Sequence, residues 1–155
     1  MSAGPLVVDT DTLSELARGN LQVRQHVLSY LATFGRLTTT SVTVFERLRG
    51  YRLAIREGKA FEPQLAAFEA LVSASVILPF DDEAAGVAAR IWVASSRSHR
   101  RHLGDILIAA IAIARRLPLV TRNTRDFERL SRDSGLPMQL VDWTRPPRRG
   151  GAFAP

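Results

Sequence analysis

The chain has 155 residues and a net charge of +6, with 46% hydrophobic and 23% charged residues. These values exclude a disordered chain, and the length suits one domain with a single core. No cysteine is present, which excludes disulfides, thiolate zinc sites and cysteine nucleophiles and fits a reducing compartment.

The amino terminus has neither a basic segment nor an apolar run of signal-peptide length. Pro5 to Val8 is a short apolar run ending in Asp9 and reads as a buried strand. Thr12 to Ala17 reads as a short helix capped by Asp11 or Thr12, with Glu15 in its first turn and Gly19 and Asn20 at its end. Leu21 to Thr33 carries apolar residues at helical spacing (Val23, Val27, Leu28, Leu31). Leu37 to Ser41 is a β-rich stretch, and Ser41 can cap a long helix from Val42 to about Glu57 that stops at Gly58. A helix over Glu62 to Ser73 and a strand over Val76 to Phe80 follow, then a helix over Asp82 to Ser98. Asp105 to Arg116 is the most apolar helix. Its uncharged run, Ile106 to Ala114, is far short of the roughly 20 residues that span a bilayer, so it reads as a buried helix. Leu117 to Thr121 is a strand, Thr124 to Leu130 a short helix and Met138 to Val141 a last strand.

The short strands are apolar on both faces and alternate with helices. That is the pattern of an α/β domain, with a short parallel sheet of about four to five strands flanked by helices on both faces. The domain runs over residues 1–144, and the Pro, Gly and Arg content of residues 145–155 predicts a flexible basic tail. Three of the six excess positive charges, Arg145, Arg148 and Arg149, lie in that tail.

In an open parallel sheet, ligands bind beyond the carboxyl ends of the strands. Asp9 stands at one such end and Asn123 just after another. Glu46 lies early in the Val42 helix, with Gly50 four residues on, on the same face. Gly50 either leaves space beside the carboxylate or only eases helix packing. Asp105 heads the buried helix and, taken singly, reads as its N-cap, with Gly104 permitting an unusual turn before it. Three carboxylates converging at one sheet edge repel each other unless a cation joins them. Oxygen ligands suit Mg²⁺ or Mn²⁺, which can serve phosphodiester hydrolysis.

Other candidates read as structural. His99 and His102 read as a solvated helix end, and Trp92, between Ile91 and Val93, as core. No serine triad or Gly-rich phosphate loop is present. Arginines flank three of the acidic segments: Arg47 and Arg49, then Arg97, Arg100 and Arg101, then Arg122 and Arg125. Of these, Arg101, Arg122 and Arg125 are candidates for contacts to a phosphate backbone.

Four segments, VVDTDTLSELARG (Val7 to Gly19), TSVTVFERLRG (Thr40 to Gly50), LGDILIAAIA (Leu103 to Ala112) and LVTRNTRDFERL (Leu119 to Leu130), stand in the order and spacing of a known family. With them the sequence resembles the PIN-domain ribonucleases, and among them the VapC toxins of bacterial toxin–antitoxin pairs. The resemblance implies a PIN fold and an acidic site for Mg²⁺ or Mn²⁺. Asp9, Glu46 and Asp105 match the family acids. Asn123 stands at the fourth position, where many members carry Asp, and Asp126 can supply charge through water. Asp11 and Thr121 match positions that support the site. The resemblance further implies an endoribonuclease of the bacterial cytosol, a homodimer acting on RNA, without a membrane, and silenced by a VapB-type antitoxin. The alternative is a non-catalytic PIN-like module that binds RNA or protein, supported by Asn123 in place of an acid.

Overall fold

The computed structural model describes residues 4–146. In chain order the elements are β1 (Val7–Val8), α1 (Thr10–Ala17), α2 (Leu21–Phe34), β2 (Thr38–Thr40), α3 (Ser41–Arg56), α4 (Glu62–Ser73), β3 (Val76–Leu78), α5 (Asp82–Ala94), α6 (Arg97–Arg100), α7 (Leu103–Ala114), β4 (Leu119–Val120), α8 (Thr124–Ser134) and β5 (Leu140–Val141). The strands form one sheet in the order β3-β2-β1-β4-β5. Every pairing is parallel, with Val7 opposite Thr38 on one side and Leu119 on the other.

Successive strand residues point to opposite faces of a sheet. Val7 and Leu119 accordingly enter one apolar cluster with Ile91 of α5, Ile106 and Ile108 of α7 and Phe127 of α8. Val8 and Val120 enter a second, with Leu13, Val23, Val27, Tyr30, Phe68 and Trp143. Burial on both faces explains why the central strands β1 and β4 read as continuous apolar runs. Parallel pairing forces every connection to be a helical crossover. Chain direction across the sheet reverses between β1 and β4. The crevice beyond their carboxyl ends is the place where such sheets bind ligands.

Several boundaries differ from the sequence reading, each for a local reason. Helix α1 begins at Thr10, because Asp9 itself is the N-cap and its Oδ1 accepts from the Thr12 amide at 2.8 Å. Thr40, not Ser41, caps α3. The helix expected to run to Ser98 ends at Ala94. There the Ser95 hydroxyl donates to the Ile91 carbonyl at 2.7 Å and Ser96 caps the separate turn α6, the kind of local competition serines offer a helix backbone. Helix α8 continues to Ser134 and stops at left-handed Gly135 (φ 68°).

Trp92 is not core: it is 42% exposed, with the Arg100 guanidinium 4.1 Å over its ring. His99 is not solvated. It is buried, its ring nitrogens bonded to Ser96 and Arg129. Among the described residues no helix is long and apolar enough to cross a membrane. Of the expected basic tail, Arg145 pairs with Asp142 at 3.4 Å, and residues 147–155 lie outside the described residues.

Candidate functional site

At the β1/β4 crevice lies an open cleft of about 480 Å³ lined by Asp9, Thr10, Asp11, Ser14, Glu46, Asp105, Ile108, Arg122, Asn123 and Phe127. Four elements deliver these polar side chains. Asp9 ends β1, and its backbone amide donates to the Val120 carbonyl of β4 at 3.0 Å. Glu46 extends from the second turn of α3, and Asp105 from the first turn of α7. Asn123 is the N-cap residue of α8. The expectation that Asp105 caps its helix does not hold. His102 occupies that position without a side-chain cap bond, and Asp105 lies three residues inside, facing the cleft.

The electrostatics of these acids set them apart. Asp9 is 3% exposed. Burial pushes its carboxyl up to about 6, against the pull of hydrogen bonds from Thr121 and Thr12, which favour the charged form. Asp105 is also pushed up to about 6. Burial is the first cause, and the charges of Asp9 and Glu46 add to it. The charge of His102 works the other way. The two acids are thus held where their ionised forms disfavour each other.

Glu46 is held by a hydroxyl relay. Thr10 donates to its Oε1 at 2.8 Å. A hydroxyl has one proton, so the proton in the 3.1 Å contact between Thr10 and Thr43 comes from Thr43. Thr40 in turn lies 3.2 Å from Thr43. The second oxygen of Glu46 lies over Gly104 at the start of α7: a Cβ built on Gly104 would stand 2.6 Å from Oε2. By contrast, a Cβ on Gly50 would meet nothing within 4 Å. The glycine that makes room for this carboxylate is therefore Gly104. Its φ is not in the left-handed range, so the unusual turn expected there is not what it supplies.

The supporting positions are placed as follows. The Asn123 side-chain amide donates to Asp126 at 2.9 Å, and its backbone amide donates to the Thr121 hydroxyl at 3.0 Å. Asp126 does not line the cleft, though its charge reaches Asp105. Arg122 lines the cleft but is engaged: it donates to both Asp11 oxygens at 3.2 Å and to Glu15 at 3.0 Å. Arg101 and Arg125 are exposed and outside the cleft lining. Arg47 is not in the cleft lining but braces Ser14, which is. It donates to Ser14 at 2.7 Å and to the Tyr51 hydroxyl, and lies over the rings of Tyr51 and Phe68.

The sequence reading missed Thr10, Ser14, Ile108 and Phe127. Helical spacing carried a signal for three of them. Ser14 is one turn after Thr10, Ile108 one turn after Asp105 and Phe127 one turn after Asn123. Ile108 and Phe127 form an apolar wall, each 1% exposed, which lowers the local dielectric around the acids.

Among the described residues no three acidic or imidazole side chains are already drawn together as an ion cage. The donor set nonetheless fits a hard cation. It consists of oxygens only, and two of its carboxylates lie well above their usual range through burial and mutual repulsion. Mg²⁺ keeps several waters and takes only one or two carboxylates directly, so a spaced set suits it.

Residues 6–133 match the PIN domain family profile. The chain belongs to the PIN-domain family. A protein named Ribonuclease VapC from Rickettsia bellii is 30% identical over 139 residues, covering 88% of this chain and 98% of that protein. Ribonuclease VapC5 from Mycobacterium tuberculosis is 38% identical over 96 residues, covering 61% and 69%. Among solved structures, DNA-bound VapBC from Salmonella typhimurium superposes with a TM-score of 0.69 at 26% identity, covering 92% of this chain and 99% of that one. The parallel sheet is thus that of a PIN domain, and the four segments that carried the resemblance all fall within the matched residues.

Proposed function

We propose that this PIN domain is a metal-dependent endoribonuclease toxin, with Asp9, Glu46 and Asp105 as the residues that hold Mg²⁺ or Mn²⁺. Asn123 helps from the fourth position and Asp126 stands behind it. The observation that carries the proposal is a pair of acids, buried Asp9 and half-buried Asp105, both pushed up to about 6 in one cleft at the sheet's switch point. Relatives named ribonucleases support the reaction class. The ion, when bound, supplies a polarised water and neutralises charge developing on the phosphodiester.

The chain's own residues do the rest. Asp9 is fixed by Thr12 and Thr121, so it does not need to reorganise when a cation arrives. Glu46 is aimed by Thr10. Ile108 and Phe127 exclude water behind the acids. Arg122, braced on Asp11 and Glu15, holds a guanidinium at the cleft that a phosphate can draw from those carboxylates, with Arg101 and Arg125 farther out. The structural relative described as VapBC supports a VapB-type antitoxin as the partner that silences the enzyme. A homodimer in the bacterial cytosol completes the reading.

The test is RNA cleavage by purified, antitoxin-free protein. Cleavage is expected to need added Mg²⁺ or Mn²⁺ and to vanish in Asp105→Asn with the circular dichroism spectrum unchanged. Equal cleavage in excess chelator would overturn the proposal. A second reading, a non-catalytic RNA- or protein-binding module, draws on Asn123, whose amide is turned to Asp126. Tight RNA binding with no heat of Mn²⁺ binding would favour it.

A further inference from the structure

Gly104 has no conformational reason to be glycine. It sits in the first turn of α7, and its φ is not in the left-handed range, so an alanine there meets no backbone penalty. Alanine is also the better helix former. What alanine would meet is one side chain. The added Cβ would lie 2.6 Å from Oε2, 3.1 Å from Cδ and 3.3 Å from Oε1 of Glu46, with no backbone atom among the nearest contacts. The other oxygen-side restraint on Glu46 is the Thr10 hydroxyl at 2.8 Å from Oε1.

We infer that Gly104 is a positioning residue: the bare Cα at the start of α7 and the Thr10 hydroxyl together form a seat that sets the direction of the Glu46 carboxylate. Its link to catalysis rests on the proposed metal site, but the seat itself does not. A side chain at position 104 leaves the fold intact, because the atom it displaces is the end of a flexible side chain. It rotates Glu46 out of its bond with Thr10. Groups that orient a metal ligand without touching the metal are worth about 10–100-fold in affinity or activity.

Three measurements on Gly104→Ala test this. The metal-free crystal structure is expected to show Glu46 turned away from Thr10. The melting temperature in chelator is expected to equal or exceed that of the wild type. Calorimetric Mn²⁺ affinity is expected to fall about tenfold, with cleavage falling in parallel. In addition, Glu46→Asp, one methylene shorter, is expected to be less damaging to Mn²⁺ affinity in the Gly104→Ala background than alone. An unmoved Glu46 or a lower melting temperature would overturn the inference. So would unchanged Mn²⁺ affinity, or an equal loss from Glu46→Asp in both backgrounds. If the wild type itself binds no Mn²⁺, the proposed function fails, and the crystal structure of the variant still decides the seat.

Discussion

Replacing Asp105 with Asn is expected to abolish cleavage and yet stabilise the metal-free protein at neutral pH. The Asp105 carboxyl rises from 3.8 to about 6 on folding. About two units at 1.36 kcal/mol each would be ~3 kcal/mol if fully enforced. The carboxylate opens onto the cleft, so solvent screening reduces this by about half. The lost attraction between the charge and the N-terminus of α7 takes back roughly 0.5 kcal/mol. A net gain of ~1 kcal/mol remains, which for a domain of this size is about 2–4 °C in melting temperature.

The sign follows from linkage. A carboxyl with a raised folded-state pKa binds its proton more tightly in the folded chain. Its contribution to stability is full below about 3.8 and is lost as pH rises through about 6. The gap between Asp105→Asn and the wild type is therefore expected to be largest above pH 7 and to close toward pH 4. Saturating Mn²⁺ reverses the order, because the wild type gains ~2.7 kcal/mol at 100 times Kd while the variant gains less. Differential scanning fluorimetry across pH, in chelator and in Mn²⁺, reads all of this. A variant less stable than the wild type at pH 7.5 in chelator, or a gap that does not change with pH, would refute the reasoning.

Arg122→Ala removes half-exposed ion pairs to Asp11 and Glu15. It is expected to alter stability by under ~1 kcal/mol while weakening RNA binding and flattening its salt dependence, measured by fluorescence anisotropy at several salt concentrations. Trp92→Ala is expected to change urea stability by under ~1 kcal/mol, against the ~3–5 kcal/mol of a buried tryptophan, because the ring lies open under Arg100.

The fold was legible because its pattern is local. Four short strands show themselves as apolar runs and β2 as a run of threonines, and the longer helices each show a period with a stop, whereas the turn α6 was merged into the helix before it. The cleft was legible in four of its polar side chains, since Asp9 and Asn123 follow strand ends, Asp105 stands in the first turn of a helix and Glu46 in the second turn of another. What the sequence hid is what depends on neighbours in space. Gly50 shares a helix face with Glu46, so it looked like the residue that makes room. The carboxylate instead reaches across to α7 and Gly104. Trp92 has apolar chain neighbours, but the buried face of α5 runs through Ala84, Ala88 and Ile91, and one step past Ile91 turns the ring outside. Arg47 follows Glu46 directly, yet one step along a helix rotates a side chain by about 100°, into the aromatic contacts of Tyr51 and Phe68.

The roles of Asp9 as a fold residue and as a site residue can be separated on physical grounds. As a cap, it needs only one side-chain oxygen for the Thr12 amide, and asparagine serves there equally well. Its burial would also suit an amide, since an amide carries no charge to desolvate. The same holds for Asp105, which caps nothing and is charged against burial and three other acids. At both positions the fold is better served by a neutral side chain than by the one present. Acids placed against the stability of their own fold belong where chemistry requires charge. Charge that repels in the free protein turns to attraction once a cation stands between the carboxylates.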